Sequence, residues 1–156
     1  EFTLDVLGGV RIADVLGEAV SPTTLAPGTP LREVLAAANG SSQKVFPIID
    51  PEQGLVGVVT VDDLRIFLIE HALPPDLLVA NDLRAAEFRA AERQEDLASA
   101  LRKMYATGLD ELPVLADDDP RRVTAMLTRR DIMSAYHERL HHNPEVGRAV
   151  PQSGHA

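Results

Sequence analysis

Val45-Phe46-Pro47-Ile48-Ile49, a turn, and then Gly57-Val58-Val59-Thr60-Val61-Asp62-Asp63 is the stretch that decides the fold, because it occurs twice. It returns as Glu111-Leu112-Pro113-Val114-Leu115, a turn, and Ala125-Met126-Leu127-Thr128-Arg129-Arg130-Asp131. Each copy holds a short apolar strand with an internal proline, a second strand, and a Thr-x-x-Asp step. Recurrence at a fixed spacing marks a repeated folding unit. Upstream, Leu31, Val34, Leu35 and Ala38 lie at helical spacing behind Thr29-Pro30, and Asn39-Gly40 closes that helix. Thr29 is expected as N-cap and Pro30 as the first helical residue. In the second copy Leu97, Ala100, Leu101 and Met104 keep the spacing, and Gly108 closes it. The offset is 66 residues from Leu31 to Leu97 and becomes 68 at Thr60 and Thr128, so the second turn is longer by two.

Residues 29–69 and 95–137 are thus two versions of one pattern. Final helices are predicted from about Val61 to His71 and from Arg129 to about Leu140, with opening strands near Thr23–Leu25 and Arg89–Ala91. The stretch from Ala85 to Ala91 also reads as helix. Each unit becomes strand, helix, strand, strand, helix: an α+β unit whose sheet has one apolar face left bare. That face needs a partner, and the matching half supplies one, packed sheet to sheet with pseudo-two-fold symmetry. The expected division is a lead-in segment over 1–17, a first repeat over 18–75, a second over 76–140 and a flexible tail over 141–156. Leu73-Pro74-Pro75 marks the boundary between halves, and Val10 to Leu16 is expected to pack on the core.

Bulk composition removes several function classes. The 156 residues are 45% hydrophobic, enough for a core, and contain no cysteine for disulfides or thiolate metal sites. No apolar run approaches the roughly 20 residues that span a bilayer. A net charge of −9 and 4% aromatic residues argue against nucleic-acid binding and base stacking. No nucleophile motif or phosphate loop is present, so an enzyme is not expected. His137, His141 and His142 stand near a helix end without an acidic or thiolate partner, and Asp117-Asp118-Asp119 reads as a solvated turn, so no metal is expected.

The layout, with its hydrophobic-Pro-hydrophobic strand and Gly57-Val58-Val59-Thr60-Val61-Asp62-Asp63, resembles a tandem pair of CBS domains, often called a Bateman module. The second copy departs from that pattern only by Ala125 in place of glycine. The resemblance covers roughly residues 10 to 140. It implies a regulatory module that binds ATP, ADP or AMP, with no catalytic cofactor. It further implies that Asp63 or Asp131 clamps a ribose while Thr60 or Thr128 and the following helix N-terminus face phosphates. Adenine would slip between the opening strand and the strand before Pro47 or Pro113, next to Val45 and Phe46 or Leu112 and Pro113. Thr-x-x-Asp is also an ordinary helix capping box, and an Asp committed to its own helix cannot fully serve a ribose.

The two steps differ in charge. Arg129 and Arg130, with Arg121 and Arg122 in the preceding turn, suit phosphate oxygens. Asp62 and Asp63 repel them. The second cleft is therefore expected to bind phosphate and the first to be weak, empty or adenosine-only. Val34, Leu64, Phe67, Leu68, Leu101 and Ile132 are expected to include a surface for a homodimer. The segments Leu4–Arg11 and Leu77–Leu83 resemble those in cytosolic tails of CLC-type chloride channels and transporters. A start without Met fits an excised piece, cytoplasmic and attached to a membrane channel domain. The alternatives are a ligand-free dimerisation module and a regulatory domain of a soluble nucleotide-metabolism enzyme.

Overall fold

In a computed structural model the described residues are 2–17, 20–71, 74 and 76–142. Residues 143–156 of the expected tail, and Leu73 and Pro75 of the expected boundary, lie outside them, whereas His141 and His142, expected in the tail, belong to the last helix. Two short helices, α1 (Phe2–Leu7) and α2 (Ile12–Leu16), precede the first repeat. That repeat contains α3 (Leu31–Asn39), β1 (Val45–Asp50), β2 (Gly54–Thr60) and α4 (Val61–Glu70). A 3-10 turn over Ala80–Leu83 leads to β3 (Ala91–Glu92), α5 (Leu97–Thr107), β4 (Glu111–Leu115), β5 (Val123–Thr128) and α6 (Arg129–His142).

Both middle pairs are antiparallel, with Pro47 opposite Val58 and Pro113 opposite Met126. The opening strands are shorter than the sequence suggests. In the second half β3 pairs parallel with β4, through Ala91 and Val114. In the first half only Leu25 pairs, with Ile48. Proline explains the brevity: residue 47 or 113 has no N–H with which to extend a parallel ladder toward the chain start. The segment from Arg84 to Ala90 is not helical, and β3 follows it.

Helix ends follow local chemistry, with one correction. Pro30, not Thr29, is the N-cap of α3, and it carries no side-chain cap. The Thr29 hydroxyl accepts instead from Ala26 N at 3.0 Å and closes the preceding turn. The α3 start is held across the chain, with Leu31 N donating to Leu78 O at 2.8 Å. Asp96 caps α5 by accepting from Ser99 N at 2.7 Å, and Gly108 closes it in the left-handed region at φ 72°.

Two cores form, one per repeat. Leu25, Leu31, Val34, Phe46, Ile48, Val59 and Leu64 fill the first, and Ala80 and Leu83 of the linker complete it. Leu97, Leu101, Met104, Leu112, Val114, Leu127 and Ile132 fill the second. The lead-in joins the second core, not the nearer first one, burying Leu7, Val10 and Ile12 there. Main-chain bonds fix it: Ile12 N to Glu95 O at 2.9 Å and Leu97 N to Val10 O at 2.8 Å. Four residues expected to offer a pairing surface, Val34, Leu64, Leu101 and Ile132, are therefore core, since each faces its own sheet. The apolar side chains that α4 does expose are Ile66, Leu68 and Ile69.

The two sheets meet where β1 approaches β4. At one end of this seam the two hairpin turns touch. Gly54 has φ +80°, and a Cβ there would fall 2.4 Å from Arg121 Cβ. Gly54→Ala combines a disfavoured backbone with that overlap and should cost about 1–3 kcal/mol. Urea denaturation checks this against Gly28→Ala, where an added Cβ meets nothing within 4 Å.

Candidate functional site

The pseudo-two-fold relation creates two clefts, each built from both repeats. The first, of about 640 Å³, places Thr60 and Asp63 against Ala85–Glu87 and Thr107–Asp110 of the second repeat. The second, of about 550 Å³, places Thr128 and Asp131 against Val20–Thr23 and Ser41–Gln43 of the first. A Thr-x-x-Asp step therefore faces the other repeat's opening segment and helix–strand loop. Neither repeat contains a complete site.

The two steps are made differently. The Thr60 hydroxyl accepts from Asp63 N at 3.0 Å. Among the described residues the Asp63 carboxylate has no hydrogen-bond or ion-pair partner, and it is exposed on the cavity wall. In the second cleft Thr128 Oγ1 accepts from Asp131 N at 3.0 Å, and Asp131 Oδ2 accepts from Thr128 N at 2.9 Å. That reciprocal pair is a complete capping box. Asp131 is thus engaged by its own helix, while Asp63 has its carboxylate oxygens free to accept from a diol.

The arginines lie elsewhere than the spacing suggests. Arg121 and Arg122 stand at the opposite end of β5 from Thr128, roughly 20 Å away for an extended strand. Arg122 pairs with Asp118 at 3.0 Å, and Arg121 reaches Glu52 O at 3.5 Å. Arg129 pairs with Asp110, a wall residue of the first cleft, at 3.9 Å and lies 5.3 Å over the Tyr105 ring, without itself lining that cleft. Neither Arg129 nor Arg130 is on the wall of the second cavity. Phe46 and Leu112 are buried in the cores of their own repeats, and they and the buried Pro113 are off the cavity walls; Val45 does line the first.

Several wall residues escape the motif. Lys44 and Asp110 occupy matching places before β1 and β4, and both line the first cleft. Their backbones play the same part, with Val61 N donating to Lys44 O at 2.9 Å and Arg129 N to Asp110 O at 2.8 Å. The 66-residue offset is the signal that locates them. The first cleft is lined by Asp62, Asp63, Glu87 and Asp110 with Lys44; Asp62 pairs with Arg65 at 3.7 Å and Asp110 with Arg129 at 3.9 Å. Among the described residues no cluster of three His, Cys, Asp or Glu could hold a metal ion. No helix among them is long and apolar enough to cross a membrane.

Glu111 links the clefts across the seam. It is 6% exposed, lines the second cavity, and accepts from Lys44 N at 2.9 Å. Burial pushes its carboxyl above the ordinary value of 4.5, and hydrogen bonds from the Lys44 and Val45 backbone only partly oppose this.

The sequence matches the CBS-domain family twice, over residues 12–70 and 84–138. The chain belongs to the CBS-domain family. It is 26% identical over 110 residues to inosine-5′-monophosphate dehydrogenase of Methanocaldococcus jannaschii, covering 70% of this chain and 21% of that enzyme. The CBS pair thus spans about a fifth of that curated relative's length. Its fold is similar to that of CBSX2 in complex with AMP, with a TM-score of 0.66 at 24% identity, covering 83% of this chain and 98% of the other. The CBS domain of a bacterial CNNM/CorC family Mg2+ transporter in complex with ATP gives 0.68 at 12% identity, covering 86% and 92%.

A native state that holds the Glu111 proton more tightly than the unfolded chain gains stability below the ordinary carboxyl value. That gain is lost as pH rises through the elevated one. Glu111→Gln removes the titration while leaving an acceptor for Lys44 N. The melting temperature of the variant relative to the parent should therefore rise from about pH 4 to pH 7. A pH-independent difference would show that Glu111 does not titrate in this way.

Proposed function

We propose that this CBS pair is a regulatory, non-catalytic module that binds an adenine nucleotide, with the first cleft as its principal site. One observation carries the proposal: Asp63 offers an unengaged carboxylate beside the Thr60 hydroxyl and the α4 N-terminus, in a cavity of about 640 Å³ shared by both repeats. A carboxylate accepts both hydroxyls of a ribose without losing any bond of its own, and helix N–H groups receive a phosphate. The AMP and ATP in the solved CBS relatives support an adenine nucleotide as the ligand class. Asp63 and Glu87, acids of this wall outside the Arg65–Asp62 and Arg129–Asp110 pairs, favour the shorter phosphate of AMP over that of ATP. The second cleft, in which the Asp131 carboxylate already accepts from Thr128 N through Oδ2, is the weaker one. This ordering replaces the one suggested by the arginines in the sequence.

The parent protein has two supported readings. The lead-in and the Leu77–Leu83 linker favour a cytosolic module of a CLC-type chloride channel or transporter. The likeness to a dehydrogenase of nucleotide metabolism favours a soluble enzyme equally. The sequence flanking these residues in the parent separates the two: apolar membrane helices or a catalytic domain.

Calorimetric titration with AMP, ADP and ATP tests the ligand and the cleft together. Asp63→Ala should weaken AMP at least tenfold, about 1.4 kcal/mol, while Asp131→Ala leaves the tighter phase unchanged. Reversed effects would move the principal site to the second cleft. Nucleotide-independent melting of an intact dimer would favour a purely structural module.

The homodimer is assigned to the exposed α4 face, where Ile66 and Ile69, 53% and 79% exposed, stand one helical turn apart. Ile69→Glu should halve the mass measured by sedimentation velocity with the melting temperature little changed. An unaltered mass would remove α4 from the interface.

A further inference from the structure

The carboxamide of Gln43 lies in the second cleft with its hydrogen-bonding positions taken by main chain. Its Oε1 accepts from Thr23 N at 3.1 Å, and its Nε2 donates to Thr23 O at 2.9 Å and Val45 O at 2.8 Å. The cause is a gap in the ladder. Leu25 N donates to Pro47 O at 2.8 Å, and Ile49 N to Leu25 O at 2.8 Å. The next rung back would take a donor from residue 47, and proline has none. Thr23 therefore presents a free N–H beside a free C=O to a cavity that also holds Thr128 and Asp131. Gln43 fills that vacancy.

An acceptor next to an N–H donor is the chemistry of a primary carboxamide. It is also the chemistry of adenine's amidine edge, a ring nitrogen beside the exocyclic amino group. Among the described residues the first cleft has no such occupant. The residue at the matching place, 66 positions later, is Leu109, which has no side-chain polar group and also lines its cavity. The duplicated architecture thus carries an internal stand-in for a nucleobase on one side only.

We propose that Gln43 occupies the nucleobase position of the second cleft, so that an adenine nucleotide enters there only by displacing it. This rests on the adenine-nucleotide reading above and adds to it a residue that sets which cleft is open. Displacement exchanges three hydrogen bonds for those of the base, so the second cleft discriminates by how well a ring edge repeats the carboxamide pattern. A base without that donor–acceptor pair leaves Thr23 unsatisfied and gains nothing from removal of Gln43.

Calorimetry with AMP, and with ribose 5-phosphate as the base-free control, tests this on the parent chain, Gln43→Leu and Gln43→Leu/Asp131→Ala. The parent is expected to bind one AMP per chain in the measurable range. Gln43→Leu, which copies the first cleft, should bind two. Adding Asp131→Ala should return the count to one, and ribose 5-phosphate should show no gain. A single AMP site in both the parent and Gln43→Leu, or an equal gain with ribose 5-phosphate, overturns the role of Gln43 while leaving nucleotide binding standing. Absence of AMP binding by both proteins overturns both readings. Loss of Thr23 and Val45 contacts lowers stability, so Gln43→Ala is titrated in parallel, each variant below its own melting temperature, and should give the same two-site count.

Discussion

Everything in this molecule depends on each half-sheet burying its open face against the other. A unit of two or three short strands with helices on one side has no stable alternative to such pairing. The seam between β1 and β4 satisfies that requirement, with Val45 buried and Glu111 accepting from Lys44 N across it at 2.9 Å. Once the halves meet, the end of β2 must face the opening segment of the second repeat, and the end of β5 that of the first. The two clefts are consequences of the packing. A single repeat would carry a Thr-x-x-Asp step and no cavity.

The repeat, the α+β class, the helix ends at Gly40 and Gly108 and the positions of Thr60, Asp63, Thr128 and Asp131 are legible in the sequence, because each is a local signal. Periodicity, capping residues and a fixed offset require no knowledge of the partner half. What is not legible comes from contacts distant in sequence. The lead-in docks on the second core because the main chain of Val10 and Ile12 pairs with residues 95 and 97, which no periodicity in 1–17 announces. The arginines mislead for a similar reason. Arg129 is drawn to Asp110 and Tyr105, and Arg121 belongs to the packing of two turns. Charge near a motif does not fix which cavity it serves.

Proline supplies the clearest link from residue to function. Pro47 and Pro113 sit at matching places in the middle strands, and each withholds the one donor that would lengthen the parallel opening strand. The consequence in the first repeat is main chain at Thr23 left without a ladder partner, beside the second cleft. In the first repeat the gap is closed by Gln43; the corresponding side chain in the second is Leu109. Together with the capping bond at Asp131, this leaves one cleft with an unengaged carboxylate and the other occupied by bonds within its own chain. A symmetric duplication thereby yields two unequal clefts.

A crystal structure of the chain grown with AMP tests the central claim most directly. The account places the ribose hydroxyls within hydrogen-bond distance of the Asp63 carboxylate, with Thr60 and the α4 N-terminus toward the phosphate and Gln43 still on Thr23. AMP seated on Asp131 in place of the Gln43 carboxamide, with the first cleft empty, would contradict it.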